Sequence, residues 1–302
     1  MTDSIEVPGP WQHRKVTARG TRFHVAEAGD GPLVLFLHGF PEFWWAWRHQ
    51  LPAFASSGYR AVAVDLKGVG ASDHPPRGYD VPSLADDMAG VIRALGAEDA
   101  VVVGHDWGGL LGWTLGSQHP ELVRRLVVLS AAHPRQLRAG TLTRPRQLLA
   151  SQYAWQMQLP WLPERRMARD SGGYVEELLR AWSAPGWPDP ATAARYRAAM
   201  QLGNTAYCFT EYHRWAIRSL VRVDGLSFAR RMRTPVAAPV LQIHGALDTC
   251  VLPSTAAGGG AYVSGQYRWQ ELPDVGHFPH EEAPDAVNSL VTHWLDEVEP
   301  AL

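Results

Sequence analysis

The sequence predicts an α/β protein, with a mostly parallel sheet covered by helices on both faces and a helical cap inserted in the second half of the chain. Short valine-rich apolar runs alternate with helical stretches over the first 130 positions. That alternation stops between about residues 134 and 234, where aromatic residues recur among prolines and arginines with helical periodicity. Strand and helix patterns then return. Consecutive strands separated by helices need crossovers, and crossovers build a parallel sheet buried on both faces.

Taken in order, 22–26, 33–37, 60–65, 100–104 and 126–130 read as strands bounded by turn residues. Between them 43–55 and 83–95 read as helices, the second opening on Ser83 as a capping residue, and 110–118 as a third. The stretch with little strand signal holds Tyr153, Trp155, Trp161, Trp182, Trp187, Tyr196, Tyr207, Tyr212 and Trp215. It is expected to form the cap. Strands at 239–243 and 266–272 and a helix at 284–298 complete the core. The expected organisation is therefore residues 1–133 and 235–302 as one α/β core and 134–234 as a helical cap, with the ligand pocket between them. A chain of 302 residues buries a sizeable core in this arrangement.

Charged residues make up 19% of the chain and the formal net charge is −2, which gives no electrostatic footprint for nucleic acid. A small-molecule ligand is expected. The two cysteines, Cys208 and Cys250, are too few for a disulfide framework and lie in no metal-binding spacing, so both read as buried small hydrophobes. Gly258-Gly259-Gly260 lacks the lysine and hydroxyl residue of a phosphate-binding loop. Residues 1–11 lack the basic-then-apolar pattern of a signal peptide, and no apolar run approaches the ~20 residues that span a bilayer. A cytoplasmic protein with no metal, no cofactor and no nucleic-acid or membrane partner is expected.

The chemistry centres on Gly104-His105-Asp106-Trp107-Gly108, between an apolar run and a helix. Strand, tight glycine-flanked turn and helix form a nucleophile elbow, but aspartate stands where serine is usual. An ionised carboxylate attacks saturated carbon and becomes an ester, whereas serine would pass through an acyl-enzyme. Such a nucleophile needs donors for its displaced carbonyl oxygen, a base for the water that opens the ester, and a carboxylate to orient that base. His38-Gly39-Phe40-Pro41 follows the strand at 33–37, where a loop supplies an oxyanion amide, so the amides of Phe40 and Trp107 are the candidate donors. Asp248 and His277 each follow a C-terminal strand, where catalytic groups collect in parallel sheets. Asp224 and Asp274 are weaker claimants for the acid, and His105, His244 and His280 read as packing histidines near the site.

Together, His38-Gly39-Phe40-Pro41-Glu42-Phe43-Trp44, Gly104-His105-Asp106-Trp107-Gly108-Gly109 and Gly276-His277-Phe278-Pro279 resemble the epoxide hydrolases of the α/β-hydrolase superfamily. The likeness runs from about residue 25 to 295. It implies that Asp106 attacks an epoxide carbon, that His277 with Asp248 activates water, that two cap tyrosines hydrogen-bond the epoxide oxygen, and that the peptide bond before Pro41 is cis. Tyr153 fits the first tyrosine and Tyr212 the second, with Tyr207 or His213 as competitors. The implied partners are a small apolar or aromatic epoxide and water. A haloalkane dehalogenase would share the nucleophile and is the alternative reading: Phe40 offers no side-chain donor to a halide, but Trp155 or Trp161 could supply one. A non-catalytic binding protein of the same fold would not need the full set of groups retained here.

Overall fold

In the computed structural model, residues 5–297 are described. Eight strands form one sheet in the order β1-β2-β4-β3-β5-β6-β7-β8, with ranges β1 Gln12–Ala18, β2 Thr21–Ala28, β3 Leu33–Leu37, β4 Arg60–Val64, β5 Ala100–His105, β6 Val123–Leu129, β7 Val240–Gly245 and β8 Tyr267–Leu272. Only β2 runs against its neighbours, and β3 to β8 are parallel. Every residue of β3 and β5 is buried, as their unbroken apolar sequences require of strands covered on both faces.

The expected strands are all present, and the structure adds β1. Its sequence, Gln-His-Arg-Lys-Val-Thr-Ala, is polar because the strand lies at the sheet edge and buries only Val16 and Ala18. The helix expected at 43–55 is broken into a 3-10 turn, Trp44–Trp47, and a short α-helix, Gln50–Ser56. The helix Val81–Ala94 is capped by Asp80, whose carboxylate accepts the Ser83 amide at 2.9 Å. Asp80 is thus the capping residue, and Ser83 lies inside the first turn. The helix expected at 110–118 starts at the elbow itself, as Trp107–Gln118. The C-terminal helix is Pro284–Glu297, and the expected last residue, Val298, lies outside the described residues. Between β6 and β7 the described chain is helical, from Pro134–Thr143 to Val223–Arg231, with no strand.

Strand order reverses at β3, which sits between β4 and β5. A crevice opens there at the carboxyl ends of the strands. Leu37 pairs with Gly104, so the loop leaving β3 emerges beside the turn leaving β5. Close packing at the elbow depends on Gly108, whose amide donates to the His38 carbonyl at 3.1 Å. A Cβ on Gly108 would stand 2.0 Å from the carbonyl oxygen of Leu37, a backbone atom that cannot swing aside. Gly108→Ala is therefore expected to destabilise the fold by about 1–3 kcal/mol. A urea unfolding midpoint equal to that of the parent chain would contradict this approach.

Candidate active site

Asp106 ends β5 and caps the following helix with φ +48° and ψ −110°, a region in which side-chain-bearing residues are uncommon. The turn lifts its carboxylate clear of the sheet. Gly39 lies against it so closely that a Cβ there would be 2.5 Å from the Asp106 Cβ. That approach brings the Phe40 amide to Asp106 Oδ1, to which it donates at 2.9 Å. The Phe40-Pro41 bond is cis, as the motif implied. His38 fixes the loop from beneath: its Nε2 accepts the Leu66 amide at 3.0 Å and its Nδ1 lies 2.9 Å from the Gly39 carbonyl. Trp107 begins the helix, so its amide has no acceptor within the helix.

Asp248 and His277 converge on the same point from the loops after β7 and β8. Asp248 Oδ1 accepts the amides of Cys250 and Val251 at 2.8 and 3.0 Å, and Oδ2 lies 2.8 Å from His277 Nδ1. His277 Nε2 then faces Asp106 Oδ2 at 3.7 Å and has no hydrogen-bond partner. The imidazole is fully buried. Burial alone would depress its pKa, but the negative charge of Asp248, followed by Cys250 and Asp106, raises it well above that of a free histidine. Burial pushes both carboxylates up, yet the His277 charge and hydrogen bonds outweigh it and lower both. His277 thus lies between two carboxylates, Asp106 and Asp248, that favour its charged form.

The turn carrying His277 is pinned on both sides. The Gly276 and Phe278 amides donate to the Glu282 carboxylate at 2.9 and 2.8 Å, and the His277 amide donates to the Trp182 carbonyl at 2.8 Å. Behind it, Glu42 accepts the Gly39 amide at 3.0 Å, lies 2.7 Å from His105 Nδ1 and 3.1 Å from His280 Nε2. His105 Nε2 reaches the His277 carbonyl at 2.7 Å. Both ring nitrogens of His105 are thereby engaged by protein oxygens. Glu42 is pushed up by burial and pulled well below the usual carboxylate range by His105 and His280. Among the described residues Glu42, His105 and His280 form the one group with ligand atoms close enough for a metal, within 4.8 Å of one another. His105 spends both nitrogens on hydrogen bonds, which leaves that group as a scaffold tying the β3 loop to the β8 loop.

A cavity opens over Asp106, lined by Trp107, Tyr153, His213, Cys250 and apolar residues including Leu137 and Phe228. Tyr153 packs on Trp182 with ring centroids 4.7 Å apart, and its hydroxyl lies 3.6 Å from the Cys250 sulfur. Burial first, then Cys250 and Asp106, raises its pKa well above that of free tyrosine, so the phenol keeps its proton. Tyr212 is not where the sequence reading put it. Its hydroxyl donates to the Lys67 carbonyl at 2.8 Å and its ring lies outside the cavity lining. Tyr207 is also turned away, toward the Pro76 carbonyl. One residue further along the helix Thr205–Arg218, His213 faces the cavity instead. Its Nδ1 donates to the Phe209 carbonyl at 2.7 Å, which leaves Nε2 to accept the Trp107 indole N-H at 3.4 Å. Burial lowers its pKa, more than the Phe209 bond and Asp106 raise it. Cys250, read from sequence as a core filler, is buried but lines the cavity.

The fold also matches that of known proteins. The alpha/beta hydrolase fold family matches residues 32–284. Epoxide hydrolase 3 of Xenopus tropicalis is 32% identical over 287 residues, covering 92% of this chain and 76% of that protein. The chain belongs to the alpha/beta hydrolase fold family, among its epoxide hydrolases. An epoxide hydrolase from an endophytic Streptomyces superposes with a TM-score of 0.83 at 30% identity, covering 96% of each chain. A variant of the Bacillus megaterium epoxide hydrolase, complexed with its product (R)-3-[1]naphthyloxy-propane-1,2-diol, has a TM-score of 0.82 at 27% identity, covering 94% of this chain and all of that one.

Because Asp106 is one of the charges that raise the His277 pKa, Asp106→Asn is expected to lower it. A pH titration of the imidazole resonances by NMR checks this, and an unmoved or raised midpoint would contradict the coupling across the 3.7 Å gap.

Proposed function

We propose that this chain hydrolyses epoxides to vicinal diols through an alkyl ester on Asp106, with residues 134–234 acting as the cap. The observation that carries the reading is a histidine nitrogen without a hydrogen-bond partner facing a strained carboxylate that opens onto a cavity also lined by a protonated phenol. Asp106 Oδ2 attacks an epoxide carbon, the carbon-oxygen bond breaks, and the alkoxide takes its proton from Tyr153. Forming the ester removes the Asp106 charge. His277 then loses one of the interactions that hold its proton, that proton returns to the phenolate left at Tyr153, and His277 becomes the neutral base for water. Water adds to the carbonyl carbon of the ester, whose oxygen rests on the Phe40 amide, with the Trp107 amide as second donor. Collapse releases the diol and restores the carboxylate, while Asp248 keeps the imidazole in register.

Tyr153 is the principal acid in this scheme. His213 takes the place expected for Tyr212, but with Nε2 bare it accepts rather than donates. Protonation of His213 at low pH would add a second donor, so alkylation and ester hydrolysis respond to acid in opposite directions. Alkylation gains as His213 charges, and hydrolysis fades as His277 does. The apolar lining favours an apolar or aryl epoxide. The naphthyloxy diol held by the Bacillus megaterium relative is of that kind.

His277→Gln is expected to accumulate a covalent adduct on Asp106, equal to the mass of one intact epoxide, that turns over slowly. Intact-protein and peptide mass spectrometry of a styrene oxide reaction checks it, and no adduct at Asp106 would remove the ester from the mechanism. A parallel haloalkane incubation should release no halide.

Tyr153→Phe is expected to slow single-turnover alkylation by roughly 10²-fold, the usual worth of a positioned proton donor. Tyr212→Phe should leave that rate within about threefold while costing about 1 kcal/mol of stability through the lost bond to Lys67. Equal kinetic losses in the two variants would return Tyr212 to the chemistry.

A further inference from the structure

Eleven of the twelve large hydrophobic side chains exposed among the described residues belong to residues 134–234, one third of the chain. Val221 and Val223 are each 83% exposed and Trp161 is 73% exposed. Trp161 is held at φ +58° as the residue before the helix Leu162–Ala168, in the left-handed region that a bulky side chain rarely adopts. Several of these residues are chain neighbours of residues that line the cavity. Leu142 follows Thr141 in sequence, Val221 follows Leu220 and Leu226 follows Gly225, and the first residue of each pair lines the cavity.

The same residues carry an unusual charge. Sixteen of the 28 basic residues in the chain, all arginine, and seven of the 30 acidic ones fall within 134–234, a formal charge of +9. The rest of the chain holds 12 basic and 23 acidic residues, a formal charge of −11. The whole-chain value of −2 conceals this division.

Exposed apolar groups can be covered by a second copy, a polyanionic partner or lipid, and the charge discriminates among them. Two copies meeting through this segment would bring +9 against +9. A nucleic acid would pair with arginine but gain nothing from exposed valine and leucine. An anionic bilayer surface rewards both, since apolar side chains enter the boundary beneath the headgroups while arginines meet the phosphates. We propose that the arginine-rich helical segment docks on an anionic lipid surface, with the rim of the cavity against the bilayer. No described helix is long and apolar enough to cross a membrane, so the contact is peripheral. The expectation of no membrane partner followed from the lack of a spanning segment, a criterion that does not bear on surface docking. Where the chain acts on apolar epoxides, which rests on the reading above, such a substrate would pass from lipid to cavity without crossing water.

Flotation of the full chain with vesicles tests the docking without any substrate, so failure of the epoxide reading would leave its result unchanged. At low salt, binding to phosphatidylcholine vesicles containing about 30% phosphatidylglycerol is expected to exceed binding to phosphatidylcholine alone by about tenfold or more. Raising sodium chloride from about 0.1 M to about 1 M should remove most of that difference as the screening length shortens. Both Arg146→Glu and the double variant Leu149→Ser with Val223→Ser should weaken binding by about fivefold at an unchanged melting temperature. These side chains are exposed, so the variants are expected to fold. Equal or absent binding to the two vesicle types would overturn the proposal. So would heparin retention without vesicle binding, or a dimer in sedimentation velocity that the double variant abolishes.

Discussion

The structure turns on the contact between the Phe40 amide and Asp106 Oδ1, because each side of that hydrogen bond is bought with conformational constraint. On one side stands a left-handed aspartate, a conformation costing about 1–3 kcal/mol unless its surroundings enforce it. On the other is a loop that passes Asp106 so closely that only glycine fits at position 39. The enforcement comes from the parallel pairing of Leu37 with Gly104, which fixes where both turns begin, and from the Gly108 amide bonded to the His38 carbonyl, which locks them together. One carboxylate oxygen is thereby occupied by a donor and the other is left facing the open cavity and His277. A serine at this position would present a single oxygen and could not divide the two tasks.

Charge follows from that geometry. Three carboxylates, Asp106, Asp248 and Glu42, are drawn into the space around His277, where isolated ions would be expelled by desolvation. Each is held by protein donors: Asp106 by Phe40, Asp248 by the amides of Cys250 and Val251, Glu42 by Gly39 and His105. The Glu42 group is not part of the cavity lining. It braces the site from behind, through the Gly39 amide on one side and the His277 carbonyl on the other, while Asp248 holds the His277 ring. Glu282 completes the restraint by accepting the amides on either side of His277. The imidazole is left with proton exchange at Nε2 and very little room to rotate.

Most of the core was legible because its signals are local and redundant. Valine-rich runs, the glycine-flanked aspartate and the histidine at a strand end each point to the same architecture. What was missed depends on direction or on distant partners. Tyr212 and His213 are neighbours on one helix, so their side chains diverge by about 100°. The sequence offers no sign of which one meets a cavity whose other wall is some sixty residues earlier. Tyr212 is apolar-faced, fully buried and satisfied by Lys67, a pairing invisible without the fold. β1 escaped notice because an edge strand need not be apolar, and Glu282 because a carboxylate gathering backbone amides has no spacing rule. The charge division between helical segment and core was present in the sequence, but summing over the whole chain cancelled it.

The cavity joins these strands of argument. Its walls are largely apolar, and the Asp106 carboxylate opens onto it. In such surroundings a charge is stabilised by fixed dipoles and partners, because little water is available to do it. That suits a mechanism in which the ionised group must be reactive before the ester forms and shielded from stray water afterwards. It also makes the route of entry an apolar one, so the lining that strengthens the electrostatics at Asp106 selects the polarity of what reaches it. Val221 and Leu226 directly follow lining residues in the chain and are themselves exposed. Stability alone would favour polar residues at those positions, since exposed apolar groups add little to folding and invite association. Their retention on the one strongly basic part of the chain is best understood as part of how the cavity is supplied.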